Sequence, residues 1–356
     1  MEGLGALALL LLVLFTIAGL HEHSLAVDTI DNYRAGARDL LAGRSPYDLA
    51  DISRGAGFAS PPIVALVYAP LLLLSTTAAE VVAAAVALAC IGGALWVLEV
   101  RDWRCYAVAC LWFPTLFAFQ SGNLSAALTL LAAITWRYRD RWQVAGAAVA
   151  AAVALKVYYW PLLVFLLVTR RFKASVLASV AASLLVFAPW AAFSFVGLRG
   201  YPHLLNVLAT LEQPEGFSLA AAMAHFISWP AARTLGYAIG VALLVAAWRA
   251  TGDRSRFLLC VGATLTLTPI LWMHYFVVLL VVVAIAQPQL GWLWFAPLVL
   301  WIAPRVPQTP HGRPDNVIPV WQVVAVVAIV GLIFTASIRG GRAATARRLA
   351  LETGSM

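Results

Sequence analysis

Charge is what this sequence has least of. Of its 356 residues only 11% are Asp, Glu, Lys or Arg, while 63% are hydrophobic by type. Soluble domains carry roughly 25% charged residues. A deficit spread along the whole chain, with a mean hydropathy of +0.88, excludes a soluble globular enzyme and makes lipid the main solvent. Strands that alternate polar with apolar residues are also absent, which excludes a transmembrane barrel and leaves helices to satisfy the backbone inside the bilayer. Cysteine is scarce. Cys90, Cys105, Cys110 and Cys260 all fall in or beside apolar segments with no CxxC, so neither a disulfide framework nor a zinc ribbon is indicated. GxxxxGK[ST], HExxH and a GxGxxG after a strand are missing too, which removes the familiar nucleotide and zinc signatures. Paired Gly-broken spans in matching halves, the pointer to a transporter, are not evident.

What is present is a series of apolar stretches, near 4–20, 78–100, 105–119, 123–136, 142–155, 157–169, 174–195, 232–250, 256–271, 275–288, 290–303 and 318–338. Several are shorter than the ~20 residues that span a bilayer. They must be tilted, extended by flanking residues or paired as half-helices. The first has no Lys or Arg ahead of it and no small-x-small cleavage site after it, so it reads as an uncleaved span rather than a signal peptide. The segment 60–74, "SPPIVALVYAPLLLL", is short and Pro-broken and reads as a helix dipping back toward the membrane. The expectation is an all-α polytopic membrane protein of about ten to twelve spans. It forms a single integral domain over 1–338, followed by a basic tail at 339–356.

With both termini in the cytoplasm, fifteen of the 24 Lys and Arg fall in short inner loops. They are Arg101, Arg104, Arg137, Arg139, Arg141, Arg170, Arg171, Lys173, Arg249, Arg254, Arg256, Arg339, Arg342, Arg347 and Arg348. That is the positive-inside pattern. It accounts for the net charge of +8 as membrane anchoring and removes the case for nucleic acid as a partner. The six histidines and most of the acids then fall on the outer side. They lie in the outer loops, among them 21–60, 196–231 and 304–317, or at the outer membrane boundary, so the chemistry gathers on one face.

Four places there are candidates. In "DTIDNYRAGARDLLAG" (28–43) Asp28 has the position of a helix N-cap, with Asp31 three residues on. Ile30, Tyr33, Ala37, Leu40 and Leu41 form an apolar stripe, which predicts an amphipathic helix along the outer interface. Arg34 and Arg38 lie on the same segment. Lys156 stands between two apolar segments, where a lysine either snorkels to headgroups or serves a function. His274, beside Trp272 and Tyr275 after Pro269, is placed to bond a phosphate or a sugar hydroxyl. In "FQSGNLS" (119–125), Gln120, Ser121 and Asn123 either line a cavity or make a turn. In the loop at 304–317, Arg305, His311 and Arg313 read as solvated.

Taken together, these segments resemble glycosyltransferase family 87, the polyprenyl-phosphate-sugar-dependent mannosyltransferases and their relatives. The resemblance rests on five stretches in order: "DNYRAGARDLLAGRSPYD", "FASPPIVALVYAPLLLL", "QSGN", "KVYYWPLLVFLLVTRRF" and "TPILWMHYF". Two departures stand out. The acid that the family places four residues before the loop tyrosine is here Thr29, flanked by Asp28 and Asp31. The tyrosine of its "F.YPP" motif is Ser60.

The resemblance implies a GT-C-type helical bundle with its active site at the outer face of the cytoplasmic membrane. It implies a hexosyltransferase, most of all an α-mannosyltransferase, that moves the sugar from a polyprenyl-phosphate donor to a glycolipid or lipoglycan acceptor, with inversion. Asp28 or Asp31 would be the general base. Arg34, Arg38, Lys156 and His274, with Gln120, Asn123 and Tyr33, would hold the donor phosphate and the substrate. No cofactor beyond the lipid-linked donor is implied, and no metal. A pentose such as arabinose is the alternative sugar, and a lipid-linked sugar flippase or a non-catalytic scaffold the alternative from other classes. The sequence sets no oligomeric state.

Overall fold

The computed structural model describes residues 2–22, 24–53, 57–302 and 318–353. The loop at 304–317, with Arg305, His311 and Arg313, lies outside them, as do His23 and Arg54. The described residues form helices joined by turns and short extended stretches, with no strand among them, as apolar runs in lipid require.

Five helices are long and apolar enough to cross a membrane: Gly3–His21, Thr76–Val97, Phe172–Ala192, Trp229–Arg249 and Val320–Arg339. The pair Phe113–Ser121 and Ser125–Arg137 passes the same test jointly but bends by 118° at its break. The other apolar stretches fold as shorter helices, among them Trp142–Leu155, Val157–Val168 and Met273–Ala286. Length alone therefore gives five or six crossings, and the remaining segments of the expected ten to twelve are short helices. The chain is an all-α polytopic membrane protein.

Breaks fall where the sequence supplies them. Ser75 caps the Thr76–Val97 helix, its hydroxyl accepting from the Ala78 N–H at 3.3 Å. Trp112 is extended, and Pro114, which has no N–H to give, sits in the first turn of the helix that follows. Gly122, at φ +61°, supplies the left-handed residue that turns the bent pair.

Close packing relies on small residues, as is usual between helices in lipid. Ala174, Ala178 and Ala182 are all buried on the Phe172–Ala192 helix. They face the Trp142–Leu155 helix, where a Cβ on Gly146 would lie 2.8 Å from the Ala174 carbonyl. The core also holds Trp112 and Trp294, both fully buried; the Trp112 indole donates to the Trp294 carbonyl at 2.8 Å.

The loops gather at two ends. At one, Arg171 bonds Asp140 (2.6 Å) and Asp253 (2.7 Å), Arg137 bonds Glu99 (2.6 Å), and Arg104 bonds Asp102 (2.6 Å). Asp102 also accepts from the Leu290 N–H, and Arg254 donates to the Ser337 carbonyl. These are the loops that the arginine pattern assigns to one side. At the other end, the Ala26 N–H donates to the Gln120 carbonyl (2.6 Å), Phe217 to Leu271 (2.7 Å) and Ile318 to Pro214 (3.1 Å). Tyr47 and Tyr201 tie the 58–62 segment down through the Ser60 and Ala59 carbonyls. So the backbone of Ser60, which stands where the resemblance expects a tyrosine, is anchored by Tyr47, and that of its neighbour Ala59 by Tyr201.

Candidate functional site

The candidate site lies at this second end and is built on an irregular helix. Asp28–Arg34 is π-helical and passes into α-helix at Ala35–Leu41. The expected amphipathic helix exists, with Tyr33, Ala37 and Leu40 buried, but Leu41 is exposed. A further expectation is corrected. Asp28 does not cap the helix; the N-cap position is Val27, with no side-chain bond. The Asp28 carboxylate turns inward instead. Its Oδ2 accepts from the Asn123 amide at 2.8 Å and its Oδ1 from Asn32 at 3.1 Å.

The π-helix explains the departure at Thr29. In an α-helix the residue four before Tyr33 shares its face, and that residue is Thr29. With i→i+5 bonding the residue five before joins it, and that residue is Asp28. Asn123 reaches both, donating to Asp28 and, at 3.0 Å, to the Tyr33 hydroxyl. Thr29 is fully buried, and its hydroxyl donates to the Gly122 carbonyl at 2.8 Å, so it docks the helix on the 120–123 turn. Asp31 is exposed.

The turn contributes more than the sequence suggests. Gln120 acts through its backbone carbonyl, and Asn123 is buried with every polar group of its side chain engaged, its Oδ1 accepting from the Ser125 N–H at 3.1 Å. Ser121 accepts from the Asn123 N–H.

Lys156 lies at the end of the Trp142–Leu155 helix, partly buried, with its ammonium 3.4 Å from the Tyr275 hydroxyl. Burial raises the pKa of Asp28; the Asn123 bond and then the positive field of Lys156 pull it back down.

His274 is 2% exposed, packed against the rings of Phe117, Trp272 and Tyr275, and neither of its ring nitrogens has a hydrogen-bond partner. The Tyr158 hydroxyl, beside Tyr275, is also buried without one. Orphaned polar atoms of this kind call for an explanation, and a bound ligand with donors and acceptors is one.

The structure thus brings together Asp28, Tyr33, Asn123, Lys156 and His274. It separates Arg38, which is exposed, and it commits Arg34 elsewhere. Arg34 is buried and donates to the Leu74 carbonyl and the Thr76 hydroxyl, strapping the loop to the start of the Thr76–Val97 helix. Sequence reasoning missed Asn32, which bonds Asp28 and also receives the Gly57 N–H, and Tyr68, whose ring lies 4.7 Å from that of Tyr33. Asn32 follows directly on Asp31 in the stretch quoted above; its orientation depends on the π-helix, which no local pattern announces.

Comparison with known proteins adds to this geometry. The model of glycosyltransferase family 87 matches residues 58–271, a stretch that holds Asn123 and Lys156 but neither Asp28 nor His274. A curated relative from Mycobacterium tuberculosis (strain CDC 1551 / Oshkosh) is 26% identical over 269 residues. It is named a polyprenol-phosphate-mannose-dependent alpha-(1-2)-phosphatidylinositol pentamannoside mannosyltransferase. The match takes in 69% of this chain and 58% of that protein, so the chain spans little more than half the relative's length. No solved structure matches.

Proposed function

The chain belongs to glycosyltransferase family 87, and from that premise we propose that it transfers a sugar, mannose first, from a polyprenyl-phosphate donor to a glycolipid or lipoglycan acceptor. The site end would face away from the cytoplasm, at the outer surface of the cytoplasmic membrane, with the arginine-rich loops and both termini inside. The mannose reading leans on the relative's named donor. A lipid-linked donor also suits a membrane-embedded chain without nucleotide-binding signatures.

The observation that carries the reading is the pose of Asp28. Its carboxylate is partly buried, held by two amides, and faced by Lys156 across an aromatic floor. The reaction is a direct displacement. The acceptor hydroxyl gives its proton to Asp28 as its oxygen attacks the anomeric carbon, the bond from that carbon to the phosphate oxygen breaks, and polyprenyl phosphate leaves with the electron pair. One base suffices and the anomeric centre inverts. Charge grows on the departing phosphate, and a fixed cation in a partly dry site is what stabilises it. Lys156 supplies that cation, and His274 offers an otherwise unpartnered ring nitrogen. Of the two aspartates, Asp28 is the base in this reading, because Asp31 is exposed.

The test is transfer of radiolabelled mannose from polyprenyl-phosphate-mannose to glycolipid acceptors by the purified protein in lipid. Asp28→Asn is expected to lose about a hundredfold or more of the rate, and Asp31→Asn to keep most of it. Equal rates for wild type and Asp28→Asn would overturn the base assignment. No transfer from any polyprenyl-phosphate sugar would overturn the reading as a whole.

A further inference from the structure

We infer that Asn123 is a positioning residue for Asp28. It fixes the rotamer of the carboxylate and, through the Tyr33 hydroxyl, couples that carboxylate to the register of the π-helix. The inference rests on the reading of Asp28 as the base.

The geometry has three parts. First, Asn123 is saturated. Its amide nitrogen donates to Asp28 Oδ2 (2.8 Å) and to the Tyr33 hydroxyl (3.0 Å), and its Oδ1 accepts from the Ser125 N–H (3.1 Å). The last bond fixes which end of the amide faces Asp28, because a flipped amide would set its NH2 against a backbone donor. Second, the turn that carries Asn123 is itself pinned. Thr29 donates to the Gly122 carbonyl, the Ala26 N–H donates to the Gln120 carbonyl, and a Cβ on Gly122 would come within 2.8 Å of Thr29 Oγ1 and of the Ala26 Cβ. Third, the two groups that Asn123 bridges lie five residues apart. They share a face only because the segment is π-helical.

Asn123 therefore sits 90 residues or more from its partners in sequence yet closes a three-membered network with them. With Asn32 on Oδ1, each carboxylate oxygen accepts one amide proton and keeps a lone pair for the acceptor hydroxyl. Asp28 is left as a hydrogen-bond acceptor of fixed direction. Such alignment is the part of general-base catalysis that a wrong rotamer forfeits.

The charged and titratable groups facing Asp28 are Asp31 and Tyr33 on its own segment, Tyr68 on the 62–73 segment, Lys156 at the end of the Trp142–Leu155 helix, and Tyr275. Asn123 adds no charge, so its removal acts on Asp28 through one hydrogen bond and not through a changed field. The lost bond favours the charged carboxylate, so losing it moves protonation of Asp28 to higher pH.

Two measurements test this on the full-length protein in lipid. The first is the pH profile of sugar transfer for wild type, Asn123→Ala, Asp28→Asn and the double variant. Asn123→Ala is expected to lower kcat about ten- to a hundredfold, the range for a hydrogen bond to a charged group. KM for the donor should stay within about twofold, because only the reacting carboxylate is misaligned, and the acid limb should move to higher pH. In the Asp28→Asn background Asn123→Ala should cost nothing further, since residues that act as a unit are not additive.

The second measurement needs no turnover. Infrared difference titration of the carboxyl band that disappears in Asp28→Asn should show that band titrating at higher pH in Asn123→Ala. Asn123→Asp, which sets a second carboxylate against Asp28, should push it further the same way. An unmoved acid limb with an unmoved carboxyl titration overturns the inference, as does additive loss in the double variant. Absence of transfer by the wild type would speak against the proposed function alone, and the infrared arm would still decide the role of Asn123.

Discussion

Asp28 and Asp102 are the same residue type at opposite ends of one helical bundle, and their surroundings push them in opposite directions. The Arg104 guanidinium bonds Asp102 and holds its pKa down at about 2. Asp140 is likewise held low by Arg171. Asp28 has no ion-pair partner among the described residues. Its oxygens take neutral amides, Lys156 acts on it only through space, and burial raises its pKa. One end uses carboxylates to neutralise arginines and tie loops together. The other holds a carboxylate oriented but unpaired, with its pKa raised by burial. Ion pairs build the first end, and amides and hydroxyls build the second.

The sharpest way to break this comparison is to neutralise one member of each set. Asp28→Asn should remove about two or more orders of magnitude of transfer and lower the thermal midpoint modestly, because the amide keeps the shape but sets its NH2 against one of the two amide donors that the carboxylate accepts from. The pH profile should follow the raised pKa. Activity should fall on the acid side at a pH above the ordinary carboxylate value of 3.8, because a raised pKa means that the basic form is lost earlier as pH drops. An acid limb at or below that value would show that Asp28 is not the group being titrated. Next in size is Lys156→Met, which keeps the aliphatic stem and deletes the cation. A loss of about a hundredfold in kcat is expected if it stabilises the leaving phosphate, measured as single-turnover transfer. A change in KM alone would assign Lys156 to donor binding instead.

Much of the bundle was legible because lipid leaves few options. Apolar runs had to be helices, and the arginines sorted the loops into sets that do meet in pairs and triples, as Arg171 with Asp140 and Asp253 shows. Residues at the site were legible as residue types in one region: Asp28, Asn123, Lys156 and His274 all come together. What could not be read was how they connect. The π-helix depends on Thr29 and Ala26 docking against a turn some 90 residues away, and no window of sequence carries that information. The same docking turns Asp28 inward to Asn123 and leaves Asp31 exposed, a difference between the two aspartates that the sequence does not show. Arg34 looked like a phosphate ligand for the same reason: its partners, Leu74 and Thr76, lie 40 and 42 residues on. The number of crossings was the other obscure quantity, since short apolar helices satisfy a hydropathy pattern without the length to span.

A turn that is pinned this closely gives an intermediate effect. Gly122→Ala forces a Cβ into φ +61° and against Thr29 Oγ1 and the Ala26 Cβ. The strain amounts to about 1–3 kcal/mol, and the turn relieves it by moving Asn123 off Asp28. Transfer should fall roughly tenfold, with a lowered thermal midpoint in lipid. A stability loss with undiminished kcat would mean that the turn holds the fold without aligning the site.

The smallest effect belongs to the paired end and completes the contrast. Arg171 bonds two aspartates from different loops, with its own side chain mostly covered and Asp140 largely exposed. Exposed ion pairs contribute little, commonly up to about 1 kcal/mol, and Arg171→Met keeps an aliphatic stem while removing the guanidinium that lies over the Phe165 ring. The expected outcome is a modest fall in thermal midpoint, a weaker salt dependence of that midpoint as the screened pairs disappear, and a kcat within about twofold of wild type, since no charge at this end reaches Asp28 by contact. If kcat fell in step with stability across a series at Arg171, Arg137 and Arg104, the two ends would be mechanically coupled, and the division between a paired scaffold and an unpaired site would be wrong. If stability alone moved, loop tying and catalysis would be separable properties of the same bundle.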